Sequence, residues 1–135
     1  MFKIRMEEKM TYTIAKAAQI TGLSVHTLRY YDKEGLMPYI ERDASGIRKF
    51  KDSDFNWLRI ITCLKDSGMP LKQIKKYIDL GMLGPSTTFD RLDIMKNHRE
   101  SVLEKIELLH LHLQTIDNKI EAYEDRIKKE AIQTI

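Results

Sequence analysis

The stretch "SVHTLRYYDKEGLMP", residues 24–38, decides how the rest of the chain is read. Ser24 is a strong helix cap, and Gly35 and Pro38 mark where the helix must stop. On a helix from Val25 to about Lys33, Val25 and Leu28 point to one side with part of Tyr31. His26, Arg29, Tyr30 and Lys33 fall within a narrow arc on another side. Cations and donors with aromatic bodies among them suit a helix lying against a polyanion. The same arc would also fit a solvated polar face with Tyr30 packed on its own domain.

The neighbouring sequence narrows the choice. Upstream, Thr13 caps "IAKAAQIT", which puts Ile14, Ala17, Ala18 and Thr21 on one face and ends at Gly22. A helix, a tight Gly turn and a second capped helix form a helix-turn-helix pattern. Downstream, "YIER" and "IRKF" flank "DASG", a hairpin signal with Gly46 at the tight position. This ribbon carries Arg42, Arg48 and Lys49. A third helix follows in "DSDFNWLRIITCLKDSG", capped near Asp52 or Ser53. Trp57, Ile60, Ile61 and Leu64 are its expected core stripe. A fourth helix, "PLKQIKKYIDLG", turns Leu71, Ile74, Tyr77 and Ile78 inward and Lys72, Lys75 and Lys76 outward.

From Phe89 onward the sequence reads as one long helix without Gly or Pro. Steps of three and four pick out Leu92, Met95, Arg99, Val102, Ile106, Leu109, Leu113, Ile116, Ile120, Tyr123 and Ile127. All but Arg99 are apolar, which is a heptad seam. The remaining chain is too small to cover so long a stripe, so a second copy is the economical partner and a homodimer is expected. The predicted organisation is therefore a disordered extension over 1–10, a head over 11–80 and a linker over 81–88. A coiled-coil dimerisation helix over 89–130 and a tail over 131–135 complete it. The fold class is all-α with a small β-wing.

Composition agrees with a folded regulatory or binding protein. Hydrophobic residues make up 42% of the chain and charged residues 32%, a balance that permits a packed core. Residues 1–88 hold 15 Lys and Arg against 10 Asp and Glu, whereas residues 89–135 hold 8 against 10. A polyanion would thus meet the basic front of the chain. No apolar run is long enough for a bilayer, no signal peptide is evident, and one Cys cannot form an internal disulfide. A cytoplasmic protein with no membrane partner is expected.

"YTIAKAAQITGLSVHTLRYYDKEGLMP", the wing "RDASGIRKF" and "FNWLRIITCLKDSGMPLKQIKKYI" resemble the MerR family of bacterial transcription regulators. The resemblance runs from about Tyr12 to the end of the long helix. It implies a winged helix-turn-helix head and a dimer through an antiparallel coiled coil. It also implies binding to an inverted repeat in double-stranded promoter DNA with an overlong spacer. Distortion of that spacer would let RNA polymerase use the promoter, which makes DNA deformation part of the mechanism. By position, Ser24, Val25 and His26 would face bases, and Arg29, Tyr30, Arg48 and Lys49 would hold phosphates. Arg48 and Lys49 could instead be solubilising charges on an exposed ribbon.

The signal such a regulator would sense is harder to read. Metal sensors of the family carry several Cys near the end of the long helix, and this chain has none after Cys63. His110 and His112, two residues apart, diverge on a helix, and His98 stands alone, so no metal site is expected. No paired carboxylates, nucleophile–base set or Gly-rich phosphate loop appears, so neither an enzyme nor a cofactor is expected. Cys63 remains, one turn after Arg59, whose guanidinium could favour a reactive thiolate. A lone helical Cys also serves as a small packing residue. "CLKDSGM" resembles a single-Cys branch of the MerR family that responds to aldehydes and other thiol-reactive electrophiles. That resemblance makes Cys63, supported by Arg59, the candidate sensor. The alternatives are an effector-independent DNA-bending protein and a coiled-coil interaction module.

Overall fold

Short-range hydrogen bonds set the first two described helices of the computed structural model, which describes residues 10–133. Helix α1 (Ile14–Thr21) starts where the Thr13 hydroxyl accepts the Lys16 N–H at 3.2 Å. It ends at Gly22, whose φ of 75° lets its N–H reach the Ala18 carbonyl. Helix α2 (Val25–Lys33) starts two residues later, with the Ser24 hydroxyl accepting the Thr27 N–H at 3.0 Å. Strands β1 (Glu41–Arg42) and β2 (Arg48–Lys49) form an antiparallel ribbon that pairs Glu41 with Lys49 and Arg42 with Arg48. Tyr12 exchanges two backbone hydrogen bonds with Phe50, at 2.8 and 2.9 Å, and so ties the start of the chain to the ribbon's base.

Helix α3 (Asp52–Asp66) and helix α4 (Leu71–Met82) complete the head. Its core joins Leu28 and Tyr31 of α2, Leu36, Phe50, Leu58 and Ile61 of α3, and Ile74 and Ile78 of α4. The buried stripe of α3 differs from the expected one. Asp54, Leu58, Ile61 and Leu64 are buried, Trp57 is half-buried, and Ile60 is exposed. The helix is rotated so that the Asp54 carboxylate, at N3, can accept the Lys51 N–H at 2.8 Å. The cap thus lies one residue before the expected position, and Trp57 moves to the flank. There its ring stacks on Tyr39 at 5.6 Å and meets Tyr77 edge-on at 6.3 Å. A methyl group at Gly81 of α4 would come within 2.5 Å of the indole, so the glycine is what lets the ring lie against α4. The Tyr39 hydroxyl is buried without a hydrogen-bond partner. Burial, followed by the charges of Asp54 and Asp32, pushes its pKa up, so the phenol stays neutral.

The stretch expected as a linker is largely structured. Gly81 and Met82 close α4, and Pro85–Thr87 form one 3-10 turn that leads into helix α5 (Thr88–Gln133). The Thr87 hydroxyl donates to the Leu80 carbonyl at 2.6 Å, and Arg91 Nε donates back to Thr87 at 3.0 Å. One compact unit of the chain ends at Ile94, which is buried, and the second begins at Met95. The head therefore takes in the start of α5 because Ile94 belongs to its core. In the second unit α5 continues without a break to Gln133, past the expected boundary at 130. The expected N-terminal extension lies outside the described residues except for Met10, as do residues 134–135 of the expected tail. No described helix is long and apolar enough to cross a membrane.

Candidate nucleic-acid interface

Helix α2 separates its two faces cleanly. Leu28 and Tyr31 are buried and Val25 is half-buried, while His26, Arg29, Tyr30 and Lys33 are exposed on the opposite arc. Ser24 lies at the exposed N-terminus, and its hydroxyl also donates to Thr27 Oγ1 at 2.9 Å. It therefore has a structural job in the cap besides any contact with a ligand. Lys65, at the end of α3, places its ammonium 5.8 Å from the Tyr30 ring and 5.3 Å from the Tyr31 ring. This adds a cation beside the α2 arc. No local pattern marks it, since Lys65 reaches Tyr30 only through the packing of α3 on the head.

The wing is built around Asp43 and Gly46. Asp43 Oδ1 accepts the N–H groups of Ser45 and Ile47, both at 2.9 Å, and Gly46 turns the chain at a φ of 83°. Arg42 and Arg48, partners across the ribbon, both reach Asp32 on the last turn of α2. Arg48 Nε donates to Asp32 Oδ2 at 2.7 Å, and Arg42 Nη2 donates to the same oxygen. Arg42 Nη1 also donates to the Gly46 carbonyl at 3.0 Å. Lys49, exposed, pairs in register with Glu41 on the other face of the ribbon. Of the two wing cations predicted to hold phosphates, Arg48 is thus tied to α2 and Lys49 is solvent-facing.

Cys63 is exposed. It lines a groove of about 340 Å³ between α1 and α3, together with Ile20, Leu23, Phe55, Leu58, Arg59 and Asp66. Arg59 and Cys63 thus share one surface, as their spacing implied. Asp66 brings a carboxylate to the same groove. Among the described residues no cluster of His, Cys, Asp or Glu could hold a metal ion.

A helix-turn-helix whose second helix exposes His26, Arg29 and Tyr30, flanked by a basic wing, defines a winged helix-turn-helix DNA-binding protein. Residues 12–80 match the family described as MerR HTH family regulatory protein. The chain belongs to that MerR family. An HTH-type transcriptional regulator of Haemophilus influenzae is 43% identical over 115 residues, covering 85% of each chain. The regulator AdhR of Bacillus subtilis is 34% identical over 91 residues, 67% of this chain and 65% of that one. Among solved structures, HiNmlR, a MerR family regulator lacking the sensor domain and bound to promoter DNA, superposes with a TM-score of 0.77. It is 42% identical and covers 86% of this chain and 92% of its own. The chain is accordingly a DNA-binding transcriptional regulator.

Proposed function

We propose that the chain works as a homodimer in the cytoplasm, binds an inverted repeat in promoter DNA, and activates transcription by distorting an overlong spacer for RNA polymerase. The observation that carries this proposal is the exposed arc His26, Arg29, Tyr30 and Lys33 on a helix whose opposite face is locked into the core. Ser24 and His26 face base edges, with the half-buried Val25 offering only its outer side between them, and Arg29, Tyr30 and the wing residues Arg48 and Lys49 meet phosphates. Dimerisation runs along Leu92, Met95, Val102, Ile106, Leu109, Leu113, Ile116, Ile120, Tyr123 and Ile127. The solved promoter complex of HiNmlR supports the DNA partner. Binding is tested by fluorescence anisotropy with a duplex selected from a randomised pool. Arg29→Ala should weaken this duplex and an unrelated one alike, and lower the salt slope of binding by about one. An unchanged slope would remove Arg29 from the phosphate contacts.

Within this scheme Cys63 senses aldehydes or other thiol-reactive electrophiles. Its exposure and the neighbouring Arg59 support the role, and an adduct there would shift α3 and the angle between the two heads. Treating the protein with methylglyoxal should raise transcription in vitro about fivefold or more, a usual size of coupling between sites. Cys63→Ser should abolish that rise while keeping DNA binding. Asp66 in the same groove favours a second reading, a DNA-bending regulator without an effector. No response to methylglyoxal in either wild type or Cys63→Ser would select it, whereas an equal rise in both would place the sensor elsewhere than Cys63.

A further inference from the structure

The clamp between the wing and α2 has an unexpected sign. Asp32 is an acid in the last turn of the helix that faces a polyanion, and electrostatics alone says such a carboxylate should weaken binding. Yet its side chain is 16% exposed and is approached by two wing arginines. Those arginines, Arg42 and Arg48, stand directly opposite each other on a ribbon of two-residue strands. Like charges in that position repel and would splay so short a ribbon. One carboxylate oxygen shared by both removes the repulsion and fixes the ribbon to α2.

We propose that Asp32 is a positioning residue for DNA binding: it holds Arg42 and Arg48 so that the wing meets the phosphate backbone in fixed register with α2. Anchored to Asp32 through Nε, Arg48 keeps the Nη edge of its planar guanidinium for a phosphate. Arg42 links Asp32 to the Gly46 carbonyl and so carries the constraint to the wing's turn. Without Asp32 the two cations would remain, but in many rotamers, and each would have to be ordered anew on binding. The negative charge near the DNA is the cost of that order. This proposal rests on the assignment of Arg48 to phosphate binding.

The test uses the full chain and two duplexes, one selected from a randomised pool by the wild type and one scrambled to the same composition. Asp32→Asn adds one unit of positive charge, so charge alone predicts tighter binding. The positioning role predicts the opposite: roughly tenfold weaker binding of the selected duplex, the worth of one charged hydrogen bond. The scrambled duplex should be held as well as before or better, so that discrimination falls. Asp32→Glu should recover part of the loss. In the Asp32→Asn background, Arg48→Ala should cost little more, whereas in the wild type it should cost about as much as Asp32→Asn itself. Circular dichroism and a thermal melt establish that each variant is folded. Tighter or unchanged binding of the selected duplex by folded Asp32→Asn overturns the proposal. A wild-type background in which Arg48→Ala has no effect overturns instead the assignment of Arg48 on which it rests.

Discussion

The double substitution Leu109→Asp and Leu113→Asp should produce a monomer with an intact head that binds a selected duplex at least about a hundredfold less tightly. The seven seam residues Ile106, Leu109, Leu113, Ile116, Ile120, Tyr123 and Ile127 are each between 45 and 64% exposed in the single chain. An apolar row of this length in water needs a partner, and two carboxylates in its middle would be desolvated on pairing. Both positions lie in the second unit, well beyond Ile94, so the core of the head is untouched. Two heads on one dimer gain affinity because the second contact becomes intramolecular, which is worth roughly 10²–10⁴-fold. Sedimentation velocity gives the oligomeric state and anisotropy the affinity. A variant that still sediments as a dimer would show that the seam lies elsewhere on α5. A monomer that binds as tightly as the wild type would show that bivalency contributes nothing.

Asp54→Ala is expected to cost about 3 kcal/mol of stability, at the lower end of what breaking a buried ion pair costs. The Asp54 side chain is 2% exposed, and it accepts the Lys51 N–H at 2.8 Å while lying 3.5 Å from the Lys51 ammonium. Its loss opens the first turn of α3 and leaves that ammonium, itself mostly buried, with a weaker set of partners. These are Glu41 and the Tyr39 carbonyl, each at 3.4 Å, which is why the upper end of the range is not expected. Asp54→Asn keeps an acceptor for the Lys51 N–H and should cost clearly less, about 1–2 kcal/mol. Urea denaturation should show a lower midpoint with an unchanged slope for both variants. A midpoint for Asp54→Ala close to that of the wild type would mean that the carboxylate contributes only its cap. Equal losses for Ala and Asn would assign the whole effect to charge.

These two residues sets also mark where the sequence could be read and where it could not. The caps at Thr13 and Ser24, the turns at Gly22 and Gly46, and the apolar row along helix α5 depend on residues a few positions apart, and all are visible as pattern. The face of α3 was not. Trp57, Ile60, Ile61 and Leu64 fit the helical period as well as the true stripe does. What turned the helix was a buried acid, Asp54, which hydrophobic periodicity discounts. The wing shows the same limit in the candidate site. Arg48 and Lys49 look alike in sequence, but sheet alternation and an acid sixteen residues earlier send them to different surroundings. Lys65 joins the α2 arc only through tertiary packing. The start of α5 entered the head because Ile94, which lies off the heptad row between Leu92 and Met95, found a place in the core.

The lone indole of the chain, wedged between Tyr39 and Tyr77 with Gly81 against its edge, has a practical meaning. Its fluorescence emission reports on a single spot, the seam between α3 and α4, with no competing tryptophan elsewhere in the 135 residues. Cys63 lies further along the same helix, so any adduct that rolls α3 would move the indole relative to both rings and to the glycine. The protein thus carries its own optical gauge, and any movement of α3 against α4 can be followed in unlabelled protein, with and without DNA.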